Sequence, residues 1–150
     1  MNSLTAIPVL TALPTTGVFA LEHRVAEHET SALVPHANNV AILGWSDHIA
    51  SAHGAAAGAS REALAQHGRM WFVARHDIEY LGESFAGDDF ILATWVVKLG
   101  RTSLERETRI FHRNAPEPIV RACSRWALVD LATRKPVAID DAVRARLFPR

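Results

Sequence analysis

The chain has 150 residues, enough for one domain built on a single hydrophobic core. Hydrophobic residues make up 49% and charged residues 21%, a globular profile rather than a disordered or fibrous one. The 16 Lys and Arg balance the 16 Asp and Glu, so no net field points to nucleic acid or an anionic membrane, and neither is expected as a partner.

Residues 1–16 read as an irregular arm packed on a neighbour. The stretch is fairly apolar, but Pro8 and Pro14 interrupt it and it has no basic n-region. A signal peptide or membrane span is therefore not expected, and a cytoplasmic location is. The domain proper is predicted over 17–150, opening with a strand over 17–26. From 46 to 67 the chain is dominated by alanine. Ala52, Ala55, Ala56, Ala59 and Ala63 recur at helical spacing, as do Ile49, His53 and Leu64, and Gly68 marks a stop. This predicts one long helix with a small-residue surface. Gly54 and Gly58 also fit a membrane helix-packing motif, but Asp47, His48, His53 and Arg61 would be costly in lipid.

Beyond the helix the period changes to two. Residues 70–81 alternate, with Phe72, Ala74, Ile78 and Tyr80 on one face and Trp71, Arg75, Asp77 and Glu79 on the other. Residues 88–99 are strongly apolar, with Ile91, Ala93, Trp95, Val97 and Leu99 expected to face one way. Strands over 104–112 and 119–131 follow, separated by turns at Gly100-Arg101, 114–118 and 133–136. A short helix over 140–148 closes the chain, with Asp140 as its cap. The lone Cys123 cannot form an internal disulfide or a Cys-based zinc site. Lying in a strand, it is expected to be a buried structural thiol. Long strands joined by short turns, with one long helix, predict an α+β fold whose antiparallel sheet curls around the helix.

One segment carries a family resemblance. His36-Ala37-Asn38-Asn39-Val40, continuing to Leu43-Gly44-Trp45, resembles the His-x-Asn-Asn box leading into the central helix of hot-dog thioesterases. Versions occur in the 4-hydroxybenzoyl-CoA thioesterase-like family and in plant acyl-carrier-protein thioesterases. The stretch from Arg75 to Leu81, Gly87-Asp88-Asp89, the run from Leu99 to Ser103, Val129-Asp130-Leu131 and Arg134-Lys135-Pro136 resemble later parts of the same family in the same order. The match covers roughly 19–147.

The resemblance implies a hot-dog fold and hydrolysis of an acyl-CoA or acyl-carrier-protein thioester. Coenzyme A would be part of the substrate, so no separate cofactor is expected. It implies a homodimer joined sheet edge to sheet edge, or a dimer of dimers. The thioester would lie at the dimer interface, its carbonyl near the N-terminus of the central helix, where free N–H groups and the helix dipole favour an oxyanion. A nearby carboxylate would then activate water or attack the carbon.

That carboxylate departs from the pattern. Where many members carry an aspartate before the box, this chain has Ser31 or, counted without a gap, Ala32. Four residues are candidate replacements. Asp47 lies near the helix start, where another hot-dog branch keeps its acid; as a first-turn acid it would also complement the helix dipole. Glu29 lies in the loop itself. His48 and His36 are candidate bases, His36 also as a positioning group. Asn38 is a candidate for ordering the loop around the thioester as well as for capping the helix, Asn39 less so. Ser31 is a candidate for orienting water. Arg101, Lys98 and Arg106 flank the Gly100-Arg101 bulge and are candidates for the CoA phosphates. His48 and His53 are five apart, not the spacing of a helical zinc pair, so no metal is expected. Two other functions stay open: a hydratase or dehydratase on a hydroxyacyl thioester, and a non-catalytic acyl-thioester-binding protein.

Overall fold

The computed structural model describes residues 13–149. The arm expected at 1–16 lies almost wholly outside these residues. In chain order come β1 (Phe19–Arg24), a 3₁₀ turn (Glu27–Glu29), α1 (Asn39–Ala56), α2 (Arg61–Gln66), β2 (Arg69–Tyr80), β3 (Asp89–Leu99), β4 (Ser103–His112), β5 (Pro118–Asp130) and α3 (Asp141–Leu147). The strands form one sheet in the order β1-β3-β4-β5-β2, every neighbouring pair antiparallel. Sequence-adjacent β2 and β3 are not paired, so the connection between them crosses the sheet. The expected α+β architecture is present. No helix among the described residues is long and apolar enough to cross a membrane.

The expected single helix over 46–67 is two helices, and the first begins earlier. The Asn38 side chain accepts from the Ala41 N–H at 2.8 Å and starts α1 at Asn39. Gly58 ends it. With φ +85 it adopts a left-handed turn, and Ala59 N–H reaches back to the Gly54 carbonyl at 2.8 Å while Gly58 N–H reaches Ala55 at 3.1 Å. This paired closure satisfies the last carbonyls of α1. Ser60 then caps α2 through Ala63 N–H. Alanine spacing continues through the break and hides it, because Ala favours helix without requiring it.

The core has two sides. On one, Ile42, Trp45 and Ile49 of α1 pack on Phe90, Leu92, Ile110 and Val120. On the other, Ile91, Ala93, Trp95 and Phe111 are covered by Leu13, Val18 and Ala20. β3 is thus buried on both faces, which accounts for its almost continuous apolar run. The expected one-sided set in β3 divides. Ile91, Ala93 and Trp95 face away from the helix, Val97 is exposed, and a bulge between Val96 and Lys98 turns Leu99 to the helix side, beside Val96 and Leu104. A bulge between Val73 and Arg75 does the same to β2. Trp71 joins the helix-side core with Trp126, whereas Phe72, on the opposite face, is exposed. One extra residue inverts every side chain beyond it.

Two smaller expectations are corrected. Cys123 is exposed, because its register partners Asp77 and Glu107 place it on the polar outer face. Partial burial and then the carboxylates of Glu105, Glu107 and Asp77 push its thiol pKa up. Asp140 precedes α3 but makes no side-chain cap bond; its carboxylate lies 3.5 Å from Arg69.

His53 of α1 is buried, stacks on Phe19 at 5.3 Å and lies 3.3 Å from Arg106 Nη1. Burial, helped by the Arg106 charge, lowers its pKa to about 4. The unfolded chain takes up this proton near pH 6.5, so between 6.5 and 4 the unfolded state binds more protons. Stability from this group is therefore complete above about pH 6.5 and is lost on acidification towards 4. Urea unfolding across that window should show a decline of up to about 3 kcal/mol that flattens in His53→Asn.

Candidate active site

Alternation in β1 points Phe19, Leu21, His23 and Val25 towards α1. The 3₁₀ turn then brings Glu29 back beneath them, its carboxylate accepting from the Ala26 N–H at 2.9 Å. Glu29 Oε1 accepts from Trp45 Nε1 at 2.7 Å, and Oε2 lies 3.1 Å from His23 Nε2. Trp45 is buried, tilts against His23 at 4.9 Å and against Phe90 at 5.8 Å. The Glu29 carbonyl accepts from Asn38 N–H at 3.1 Å. One residue thus ties β1, the core of α1 and the helix cap together.

Burial alone would raise the Glu29 carboxyl. The hydrogen bonds from Trp45, Ala26 and His23 outweigh it and hold the group below the usual carboxylate range. An ionised carboxylate only accepts, so His23 Nε2 must carry the proton in this bond. In neutral His23 the Nδ1 lone pair is then available, and Nδ1 makes no hydrogen bond among the described residues. This is the carboxylate–imidazole arrangement that fixes a tautomer and steadies an imidazolium.

His23, Glu29, Asn38, Val40, Gly44, Trp45 and His48 line one open cleft of about 490 Å³ at the start of α1. Asn38 satisfies only the Ala41 N–H there. The N–H groups of Asn39 and Val40, in the first turn, have no partner within the helix, and Val40 is 79% exposed. They are aligned with the positive end of the helix dipole.

The other expected residues are dispersed. His36 sits in the loop before the helix, bridged to Phe85, with its Nδ1 3.0 Å from the Ala37 carbonyl. Ser31 Oγ accepts from Leu33 N–H at 3.3 Å. Asp47 does not join the cleft: both its oxygens accept from Arg61 Nη2 of α2, at 3.1 and 2.9 Å. Lys98 and Arg101 are exposed at the opposite end of the sheet. His23 pairs with Phe90, and Lys98 lies eight residues further along β3 (98 − 90), about 26 Å by strand rise. Arg106 is corrected outright. It is a buried residue on the helix side of β4, and burial pushes its pKa down to about 10. Among the described residues no group of three His, Cys, Asp or Glu side chains gathers as a metal site would require.

His23 and Trp45 were not singled out from the sequence as site residues. The signal for His23 was present: period-two alternation from Phe19 places a lone imidazole on an apolar inward face.

A helix enclosed by this five-stranded antiparallel sheet, with the cleft at its N-terminus, defines a hot-dog domain. Residues 33–147 match the thioesterase-like superfamily, and the chain belongs to it. Over 80 residues it is 31% identical to a chloroplastic acyl-(acyl-carrier-protein) hydrolase of Cuphea viscosissima, covering 53% of this chain and 19% of that protein. The chain thus spans about a fifth of the length of the curated relatives it matches. Its fold is similar to that of a 1,4-dihydroxy-2-naphthoyl-CoA thioesterase from Synechocystis, with TM-score 0.79 and 12% identity over 87% of this chain and 95% of the other. It is also similar to a Staphylococcus aureus protein solved in complex with CoA, with TM-score 0.81 and 12% identity over 86% and 80% of the two chains.

Proposed function

We propose that the protein hydrolyses an acyl-CoA or acyl-carrier-protein thioester to the free acid and thiol. The observation that carries this reading is the Glu29–His23 pair beside the unpaired Asn39 and Val40 N–H groups of α1, in a chain of the thioesterase-like superfamily. The thioester oxygen sits on the Asn39 and Val40 N–H groups. His23 Nδ1 takes a proton from water as its oxygen attacks the carbonyl carbon. The oxyanion is held at the helix N-terminus. Collapse breaks the carbon–sulfur bond, and the leaving thiolate receives the proton from His23. Glu29 serves as a positioning residue, because three donors leave its oxygens poorly basic.

The working unit is a homodimer. β2 is an edge strand of 12 residues, and Phe72, Val73, Tyr80 and Leu81 are exposed along and just beyond it. A long apolar edge invites pairing with a second copy. Leu33, Val34, Val40 and Phe85 are also exposed, and Val40 lines the cleft. Sedimentation equilibrium distinguishes dimer from dimer of dimers. A cytoplasmic location suits the single exposed thiol, Cys123, which a reducing compartment keeps free.

The test is thiol release from a panel of short, long and aromatic acyl-CoAs and an acylated carrier protein. Turnover of at least one supports hydrolysis. Binding without thiol release favours the non-catalytic reading, to which the engaged Ser31 hydroxyl at the expected carboxylate position lends support.

A further inference from the structure

Gly44 lies five residues into α1 (44 − 39), in regular helix. Glycine is the poorest helix former after proline, so its place there calls for a reason. The usual reasons do not apply. Its φ is not positive, and it does not end the helix, which runs on to Ala56. Nor does a neighbour press on it: a Cβ at Gly44 would meet no neighbouring atom within 4 Å. At Gly54, by contrast, a Cβ would lie 3.4 Å from the Ala59 carbonyl oxygen, and Gly58 is left-handed. The open space at Gly44 belongs to the cleft of about 490 Å³ at the start of α1. Val40, Ala41, Gly44, Trp45 and His48 line that cleft from one stripe of the helix. Val40, Gly44 and His48 are exposed and four residues apart, so they form a single row, about 12 Å long by helix rise. The missing side chain at position 44 leaves a gap in the middle of that row.

We propose that this gap seats the acyl chain of the substrate, and that Gly44 determines specificity for acyl length. This role rests on the cleft at the start of α1 being the thioester site. With the thioester oxygen on the Asn39 and Val40 N–H groups, two arms leave the carbonyl carbon. The row from Val40 to His48 suits the acyl arm rather than pantetheine. From Ile42 onward the N–H groups of α1 are used within the helix, so the row offers no backbone donor to the amides of pantetheine. An acyl chain needs only apolar contact, which Val40, Ala41 and the bare backbone at Gly44 give. An acetyl group ends beside Val40. An octanoyl chain reaches Gly44, about 6 Å further along the helix (44 − 40). A side chain at position 44 would fill the gap between Val40 and His48 and leave room for short chains only.

The experiment compares the full wild-type chain, Gly44→Leu and Gly44→Ala on acetyl-CoA and octanoyl-CoA. It reads thiol release and, separately, binding by calorimetry. Wild type should bind octanoyl-CoA more tightly than acetyl-CoA. Gly44→Leu should lower the octanoyl-to-acetyl ratio, in kcat/KM and in affinity alike, by about 10- to 100-fold, the scale of discrimination in an apolar pocket. Gly44→Ala should lower it less and raise Tm, since alanine favours helix and its Cβ has space. It carries the test if Gly44→Leu does not fold. An unchanged ratio overturns the proposal. So does an equal loss on both substrates, which would put Gly44 under the pantetheine arm they share. A Gly44→Leu protein that sediments as a smaller species than wild type also overturns it, because a second copy would then cover the residue. Wild-type binding without thiol release would count against hydrolysis alone, and the affinity ratio would still decide the role of Gly44.

Discussion

His23→Ala is expected to lower kcat for thioester hydrolysis by about 10²- to 10⁴-fold with little change in KM, the usual contribution of a positioned general base. The expectation follows from geometry. Glu29 is ionised and accepts from three donors, so it cannot readily take a proton from water. Its bond to His23 Nε2 leaves Nδ1 as the basic atom of a ring that lines the cleft. Glu29→Gln keeps the size of the side chain, but its amide cannot accept at both ends. It should release the tautomer and lower kcat as well, with smaller loss than His23→Ala. Asp47→Asn separates this arrangement from the one the helix position suggested. Asp47 is bound to Arg61 at an exposed site, so its replacement should cost at most about 1 kcal/mol of stability and leave turnover near wild type. If Asp47→Asn abolishes hydrolysis and His23→Ala retains it, the His23 assignment is wrong. Steady-state kinetics with the best substrate of the acyl-CoA panel decide this.

Phe90→Ala should be among the most damaging single changes to stability, costing about 3–5 kcal/mol. Phe90 is fully buried on the helix side of β3, tilts against Trp45 at 5.8 Å and against His112 at 4.8 Å. Removing the ring leaves a cavity between the sheet and α1, where surrounding elements are held by hydrogen-bonded ladders and collapse only partly. Trp45 is also the donor that fixes Glu29, so the cavity should loosen the carboxylate and His23 with it. The expected result is a lower urea midpoint together with a fall in kcat. Phe90→Leu, which keeps most of the volume, should restore much of both. A variant that lost stability with undiminished turnover would show that Trp45 holds the site without help from Phe90.

The strands over 70–81, 88–99, 104–112 and 119–131 emerge at nearly the expected boundaries, because alternation at period two and turn residues are local properties. The box from His36 to Asn39 places the start of the helix correctly in family terms, and Asn38 caps it. Alanine periodicity alone places that start seven residues late (46 − 39) and runs through the Gly58 break. Spacing within a helix states that residues share a face; it does not state where the backbone turns left-handed.

What the chain determines by itself is therefore the class of fold, the inward placement of the apolar residues between bulges, and the helix N-terminus with its unpaired N–H groups. Tertiary structure alone decides which groups meet there. Glu29 gains its role from Trp45, sixteen residues away, and from His23 on a strand that crosses α1, contacts set by how β1 packs over the helix. Arg106 reads as a surface cation in a charged strand, yet strand register points it into the core with His53 and Thr94. Asp47 reads as a helix-start acid, yet α2 turns back to occupy it with Arg61. Periodicity is encoded residue by residue, whereas a partner is supplied by whatever the folded chain brings within 3 Å, roughly the reach of one hydrogen bond.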